Sequence, residues 1–199
     1  AGARWTAPDR PRMAFAQPTP ETLWEECDRL IGVGDRVFKA GFVEVPLYRI
    51  SLYVDAAAAR EALRPFAGYS YEDLCQDGTF FKYLAEGHFR KTLRVAFLRR
   101  LSKAKLASTF RGVLAPRAGE RCAADIEQFV AAIDDTTEED VLTIRLDADG
   151  ERLDINATWQ EPPGLTLRSQ GVWLAIQGAY FDERTDVPKL RLGMIRGVP

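Results

Sequence analysis

The fold is decided by residues 30–55, which read LIGVGDRVFKAGFVEVPLYRISLYVD. Gly32 and Gly34 lack a Cβ, so the backbone can take a positive φ there or come close to a neighbouring segment. This spacing predicts a tight turn, and it predicts that Arg36 leaves the turn and is oriented by the strand that follows. We expect the elements that follow in the chain to pack against this segment.

A long strand is predicted for residues 42–53, because valine, leucine, isoleucine and tyrosine dominate this segment. Glu44 and Arg49 interrupt the apolar residues, which is typical of a strand with one polar face. Pro46 has no backbone N–H and cannot donate to a sheet ladder. We therefore expect a sheet edge or a β-bulge at Pro46.

The composition predicts a soluble globular protein. The chain has 199 residues, of which 46% are hydrophobic and 28% are charged, and this length suits one sizeable domain. The formal net charge of -2 argues against nucleic-acid binding, because nucleic-acid surfaces carry a basic excess. No apolar run reaches the roughly 20 residues that a membrane helix requires, so no transmembrane segment is predicted.

Helical and strand patterns fill the rest of the chain. Asp55, Ser70 and Ser102 are suited to cap helices, and turn residues at 147–150 join two short strands into a hairpin. Pro116 is expected to end the helix that follows Ser102. The predicted helices are 56–63, 70–84 with an interruption at Gly78, 102–113, 119–133 and 171–181, and the predicted strands are 91–98, 141–146, 153–159 and 165–167. This order predicts the α+β class, an antiparallel sheet covered on one face by helices.

The segment around residues 90–103 combines alternation with positive charge. One predicted strand face carries Leu93, Val95 and Phe97, and the other carries Thr92, Arg94 and Ala96. The basic residues are Arg90, Lys91, Arg94, Arg99, Arg100 and Lys103. We interpret them as a solvated face, with a phosphate or an acidic neighbour as the alternative partner.

Four segments together resemble the chalcone isomerase superfamily. They are Gly32-x-Gly34-x-Arg36, residues 45–54 (VPLYRISLYV), residues 91–99 (KTLRVAFLR) followed by Ser102, and residues 187–190 (VPKL). The resemblance spans about residues 30–195 and is to the non-catalytic, fatty-acid-binding type. It implies a chalcone-isomerase-like domain at residues 21–199. The prolines of residues 1–20 predict an extended Pro-rich arm before this domain.

Local signals and the resemblance disagree about residues 22–30. Thr19 followed by Pro20 and Glu21 predicts a helix over this segment. The resemblance implies a short strand near Leu30. Both alternatives stay open at this point.

Arg36 and Tyr48 are the candidate ligand-binding residues. An arginine offers a fork of donors that fits a carboxylate, and a tyrosine hydroxyl can donate to the same oxygen. In the fatty-acid-binding relatives an arginine and a tyrosine in this part of the chain hold the ligand's carboxylate, and Arg36 and Tyr48 match them. The resemblance thus implies a fatty acid or a similar small apolar carboxylate as the ligand. In the alternative interpretation, Arg36 pairs with a surface acid and Tyr48 is a core aromatic residue.

The sequence departs from the catalytic members of the superfamily. The nearest counterparts of their later polar residues are Leu106, Val113 and Ala179, whose side chains cannot donate a hydrogen bond. Chalcone cyclisation needs a general acid or a set of oriented donors, so we do not expect this chain to be an isomerase. An enzyme with another chemistry is a third alternative with the least support, because no catalytic set is visible in the sequence. No cofactor motif is present in the sequence.

No metal site is predicted. Cys27, Cys75 and Cys122 are widely spaced, and we expect them to be free thiols. His88 is the single histidine and is expected to be structural. Residues 134–140 are acidic, and they lack the ligand spacing of a calcium loop, so we interpret them as a solvated turn.

The arm at residues 1–20 supports a second hypothesis about function. It is rich in proline and arginine and contains Trp5 as an aromatic anchor. In this alternative the protein is an accessory structural subunit that docks through the arm to a larger assembly, such as an organellar membrane complex. The chain opens with Ala1 rather than methionine, which favours removal of a leader or a trimmed chain. The relatives then imply a plastid, with the bacterial periplasm as the alternative.

Overall fold

The computed structural model describes residues 28–40, 43–161, 163–182 and 188–197. The described strands are β1 (Asp28–Ala40), β2 (Val43–Asp55), β3 (Lys91–Phe97), β4 (Val141–Leu146), β5 (Arg152–Ala157) and β6 (Leu165–Arg168). The described helices are α1 (Ala56–Ala62), α2 (Tyr71–Gln76), α3 (Gly78–Glu86), α4 (Lys103–Ala118), α5 (Ala123–Ala131), α6 (Gln170–Phe181) and α7 (Pro188–Gly193), with 3₁₀ turns at Arg64–Phe66 and Glu120–Cys122. The predicted arm at residues 1–20 lies outside the described residues.

The six strands form one antiparallel sheet in which each strand pairs with the next along the chain, in the order β1-β2-β3-β4-β5-β6. Every second side chain of β3 and β4 is buried, and the helices supply the apolar residues that cover this face. Leu93, Val95 and Phe97 share the buried face, as their alternation predicts. The predicted α+β class, with an antiparallel sheet and helices on one face, is confirmed.

The Gly-x-Gly segment lies inside β1 and forms no turn, so the predicted turn is wrong. Neither Gly32 nor Gly34 has a positive φ. Both glycines face helix α7, and a Cβ on Gly32 would lie 2.5 Å from the carbonyl oxygen of Gly193. A Cβ on Gly34 would lie 2.9 Å from the Cα of Leu190. The glycines therefore serve the other predicted purpose, because they let a helix backbone touch a strand backbone.

The irregularities of the first hairpin settle two predictions. Strand β1 begins at Asp28, so residues 28–30 are extended and the predicted helix over 22–30 is wrong for these three residues. The remainder of that helix lies outside the described residues. The ladder shifts register between Arg36 and Val37. Val37 pairs with Pro46, and Leu47 has no partner residue on β1. The β-bulge expected at Pro46 is thus confirmed.

Side-chain caps define the helices between β2 and β3. The Asp55 carboxylate accepts hydrogen bonds from the backbone N–H groups of Ala57 and Ala58 and starts α1. Ser70 and Asp73 form a capping box at the start of α2. The predicted interruption of the 70–84 helix is real, because α2 ends and α3 begins at Asp77.

Replacing Asp77 with alanine should lower the free energy of unfolding by about 1 kcal/mol. Its carboxylate accepts hydrogen bonds from the N–H groups of Thr79 (2.7 Å) and Phe80 (3.1 Å), which have no partner inside α3. Urea unfolding measures the loss. Asp77→Asn keeps the accepting oxygen and should retain most of the stability, whereas equal losses in both variants would contradict a capping role.

Helix α4 continues past Pro116, so the expected end at that residue is wrong. The helix runs to Ala118 and ends at Gly119, which has a φ of 78°. Pro116 removes one hydrogen bond to the carbonyl of Gly112. Both residues are exposed, so water can solvate that carbonyl and the helix tolerates the loss.

The C-terminal part follows the predicted order. Gly150 adopts a φ of 78° in the turn between β4 and β5, β6 completes the sheet, and α6 follows it. The core is continuous from the sheet through α3, α4, α5 and α6. Within the described ranges, none of the helices is long and apolar enough to span a bilayer.

Candidate functional site

Arg36 and Tyr48 lie directly opposite each other on the first two strands. They are cross-strand partners in the β1-β2 ladder, at the last pair before the bulge. Opposite residues of an antiparallel pair have Cβ atoms about 5 Å apart and point to the same face. The register therefore brings together the two residues that the sequence singled out 12 positions apart.

The pair sits on the helix-bearing face of the sheet. Tyr48 is two residues from Ile50, which is completely buried, and the alternation of the strand puts both side chains on one face. On its other side, Tyr48 pairs with Phe97 of β3, and the two rings meet edge to face with centroids 6.3 Å apart. Both Arg36 and Tyr48 are half-buried.

An apolar row continues from the pair across the sheet. The ring of Phe97 is 6.0 Å from that of Trp159, which follows β5. The indole N–H of Trp159 donates to the carbonyl of Ala132 at 3.1 Å, so this ring is fixed in place. Arg36, Tyr48, Phe97 and Trp159 thus form a strip with a cation and a hydroxyl at one end and aromatic carbon at the other.

The nearest acid in sequence is on the opposite face. Asp35 binds Arg49 through two hydrogen bonds of 2.7 and 2.9 Å across β1 and β2. The Arg49 guanidinium lowers the pKa of Asp35, chiefly through these bonds. Asp35 is therefore committed to Arg49. Arg36 and Tyr48 have further contacts of their own within the protein, which a ligand would join or replace.

Helices α4 and α6 pack against each other on the same face of the sheet and carry the three apolar counterparts of the isomerase residues. Leu106 and Ala179 are buried and Val113 is half-buried. None of these side chains can hold or move a proton. These three positions present only hydrocarbon to their surroundings.

Lys91 is a buried cation that the sequence interpretation assigned to a solvated face, and this assignment is wrong. It lies on the buried face of β3 with 0% exposure. Its Nζ donates to the carbonyl of Gly87 at 2.6 Å and lies 4.1 Å from the centroid of the Phe89 ring. The ring of Trp173 is 5.0 Å away. Alternation could have signalled this position, because Lys91 is two residues before Leu93 on the apolar face.

Burial lowers the pKa of the Lys91 ammonium from its ordinary value of 10.5 to about 7. A lysine with such a pKa is a common catalytic group. Here the amine has no exposed surface, and it ties the end of α3 to β3 through the Gly87 carbonyl. We therefore assign it a structural role.

The stability of the protein should rise from about pH 7 to about pH 10 because of Lys91. In this range the unfolded lysine keeps its proton and the folded one loses it, so raising the pH removes a cost that burial imposes below pH 7. The free energy of unfolding can rise by at most about 5 kcal/mol over this range, since one pKa unit corresponds to about 1.4 kcal/mol. Lys91→Met removes the charge, and urea unfolding at several pH values should show a flatter profile for the variant. Parallel profiles would contradict this origin.

The other basic residues of this segment do not form one surface. Arg90 is largely buried and binds the carboxylate of Asp28 at 2.8 Å. Arg99 and Arg100 are exposed, and Arg94 lies on the opposite face of β3 from Lys91 and Leu93. The cluster predicted from sequence proximity is therefore divided between a buried ion pair, the core and solvent.

The remaining candidates have local structural tasks. Asp140 accepts hydrogen bonds from Thr137 and Thr158 in the acidic turn. His88 is exposed and stacks on Trp173 with ring centroids 6.3 Å apart. Cys75 and Cys122 are free and half-buried, and Cys27 lies outside the described residues. In the described ranges, no group of three or more His, Cys, Asp or Glu side chains is arranged to hold a metal ion.

The comparisons with known proteins rest on structure. No protein-family model matches the sequence, and no curated protein matches it. Among solved structures, the chain is similar to a fatty-acid binding protein of Arabidopsis thaliana, with a TM-score of 0.71 and 16% identity. The match covers 87% of this chain and 89% of the other. The two proteins share one fold over nearly their whole length.

Proposed function

The chain has a chalcone-isomerase-like fold, and from this premise we propose that it binds a fatty acid or another small apolar carboxylate without catalysing a reaction. The observation that carries the proposal is the cross-strand pairing of Arg36 with Tyr48 on the helix-bearing face. The similar Arabidopsis structure is of a fatty-acid binding protein, which supports the same class of ligand.

The pair offers the donors that a carboxylate needs. The guanidinium of Arg36 can donate two parallel hydrogen bonds to the two oxygens, and the hydroxyl of Tyr48 can donate a third. A half-buried arginine holds an anion more tightly than an exposed one, because less water screens the interaction. The acid end of the ligand is therefore assigned to Arg36 and Tyr48.

The apolar row gives the hydrocarbon of the ligand a direction. Phe97 adjoins Tyr48 and leads to Trp159, so we assign the hydrocarbon of a ligand anchored at Arg36 to this aromatic row. Each methylene group removed from water contributes about 0.8 kcal/mol. Affinity should thus come mainly from the chain, and orientation from the carboxylate.

The absence of donors at three helix positions supports binding without chemistry. Leu106, Val113 and Ala179 offer neither a general acid nor a donor for developing negative charge. A bound ligand would meet hydrocarbon at these positions. The geometry favours holding an apolar molecule over rearranging one.

Native mass spectrometry of the purified protein, before and after organic extraction, tests the proposal. We expect an added mass of a fatty acid that extraction removes. The extracted protein should then take up a fluorescent fatty acid, and Tyr48→Phe should weaken this binding about 10-fold, because one hydrogen bond to a charged group is lost. A protein that neither carries nor takes up a fatty acid would overturn the proposal.

Two finer hypotheses stay predictions. Docking to a larger assembly depends on residues 1–20, which lie outside the described part of the chain, and deleting residues 1–18 is its test. We also propose a plastid location, which the similarity to a plant protein supports. Microscopy of the tagged precursor in plant cells checks it, and signal outside plastids would contradict it.

A further inference from the structure

A cleft opens near the start of β1, where the strand meets helix α1. It has a volume of about 80 Å³. Its floor is apolar and consists of Ile31, Val54, Ala59, Leu63 and Phe66. Phe66 is held from the far side by the rings of Phe80 and Tyr83, each with a centroid distance of 5.4 Å. The floor is therefore part of the fixed core and is not a loose surface groove.

Three arginines line the same cleft, which we call the arginine cleft. They are Arg29 of β1, Arg60 of α1 and Arg64 of the following 3₁₀ turn. Within the described part of the chain, the side chains of Arg29 and Arg60 form neither a hydrogen bond nor an ion pair. Among the described residues, the one ion pair of Arg64 is a 3.4 Å contact with Glu61, and both side chains are exposed. The cleft thus combines an apolar floor with three exposed arginine side chains, of which only Arg64 has a carboxylate partner among the described residues.

Asp28 and Asp55, the acids that adjoin Arg29 and helix α1 in the chain, have other hydrogen-bond partners. Asp28 precedes Arg29 in the chain, but its oxygens accept from Arg90 and Thr92. Asp55, at the start of α1, accepts from two backbone N–H groups. Neither carboxylate therefore forms a hydrogen bond with an arginine of the cleft. An anion from outside the chain would be its natural partner.

We propose that the arginine cleft binds a phosphate monoester that carries a short apolar group. A monoester has a charge of about -1.5 to -2 at neutral pH and three oxygens that accept from arginine forks, which suits three guanidinium groups better than a single carboxylate does. The small volume above Val54 and Ala59 has room for two or three water-sized groups, and hence for a short hydrocarbon segment.

The arginine cleft is separate from the site at Arg36. Arg29 and Arg36 are at opposite ends of the same strand face, about 20 Å apart at about 3.3 Å per residue. The two sites can therefore be tested independently. Arg36→Ala should leave the phosphate site unchanged, and Arg60→Ala should leave fatty-acid binding unchanged.

Isothermal titration of the whole chain with butyl phosphate and with inorganic phosphate is the first test. Butyl phosphate should bind at one site about 10-fold more tightly than inorganic phosphate, because each buried methylene group is worth about 4-fold in affinity. Arg29→Ala and Arg60→Ala should each weaken the binding of butyl phosphate about 10-fold or more, since each removes a charged donor. Arg121→Ala removes an exposed arginine outside the cleft and should change nothing.

The outcomes are distinguishable. Equal binding of the two phosphates, or binding that is insensitive to Arg29 and Arg60, would overturn the proposal. Ala56→Leu fills the cleft with a larger side chain. This variant should bind butyl phosphate no more tightly than inorganic phosphate. Vesicles that contain phosphatidic acid test whether the phosphate monoester is the headgroup of a lipid or a soluble molecule. When butyl phosphate binds, Arg60-dependent vesicle binding indicates a lipid ligand, and its absence indicates a soluble one.

Discussion

Replacing Gly34 with alanine should lower the free energy of unfolding by about 3 kcal/mol, at the upper end of the cost of overpacking. The added Cβ would overlap the backbone of Leu190 in α7. A backbone atom cannot rotate away as a side-chain tip can, so α7 must move off β1. Urea unfolding followed by tryptophan fluorescence measures the loss.

Gly112 provides the matched control. It lies on the exposed side of α4, and nothing lies within 4 Å of the position of an added Cβ. Gly112→Ala should therefore raise the free energy of unfolding by about 0.5–1 kcal/mol, the usual gain for this change within a helix. A loss below about 1 kcal/mol for Gly34→Ala, or similar changes in both variants, would contradict the close packing of α7 on β1.

The same packing should affect the proposed ligand site. Leu190 lies over Gly34, two residues from Arg36, so α7 covers β1 up to the predicted carboxylate site. We expect Gly34→Ala to weaken fatty-acid binding together with stability, because a displaced α7 exposes Arg36 to water. The fluorescent fatty-acid titration checks this coupling at a temperature where the variant remains folded.

Local chemistry predicted much of the fold. Alternation identified the faces of β3, and the capping side chains of Asp55, Ser70 and Ser102 marked helix starts, since both signals act over a few residues. The hairpin turn that ends at Gly150 was visible for the same reason. These features depend little on tertiary contacts.

The errors arose where tertiary contacts decide. A Gly-x-Gly segment fits a turn or a close helix contact equally well, and only the position of α7 distinguishes them. Pro116 is a helix breaker by local rules, but the exposed end of α4 tolerates one missing hydrogen bond. Lys91 looked like a surface charge because its neighbours in sequence are basic. Its strand face places it in the core.

Prediction of the site had a similar limit. Arg36 and Tyr48 were found through the resemblance and were then brought opposite each other by a register that no local rule specifies. The arginine cleft had no signal in the sequence, because Arg29 and Arg60 are 31 positions apart and meet only after β2 turns into α1. Contacts across such separations come from the fold alone.

Arg36→Ala should weaken fatty-acid binding at least about 30-fold while the protein stays folded. Two charge-assisted hydrogen bonds to the carboxylate would be lost, at a combined cost of at least about 2 kcal/mol, and 1.4 kcal/mol corresponds to tenfold in affinity. The side chain is half-buried at the edge of the core, so its removal leaves the main apolar contacts intact. Methyl esters, which lack the charge, should bind both proteins about equally.

Arg49→Ala is the control for charge and position. Arg49 lies next to Tyr48 on β2, but on the opposite face, where it binds Asp35. Its removal takes the same charge from the same hairpin without touching the helix-bearing face. Fatty-acid affinity in Arg49→Ala should equal that of the wild type.

The most direct measurement is a titration of the delipidated protein with a fluorescent fatty acid. The wild type, Arg36→Ala and Arg49→Ala are titrated in parallel, and circular dichroism verifies that each is folded. We expect saturable binding to the wild type and to Arg49→Ala, and an affinity at least about 30-fold lower in Arg36→Ala. Equal affinity in a folded Arg36→Ala protein would contradict this expectation.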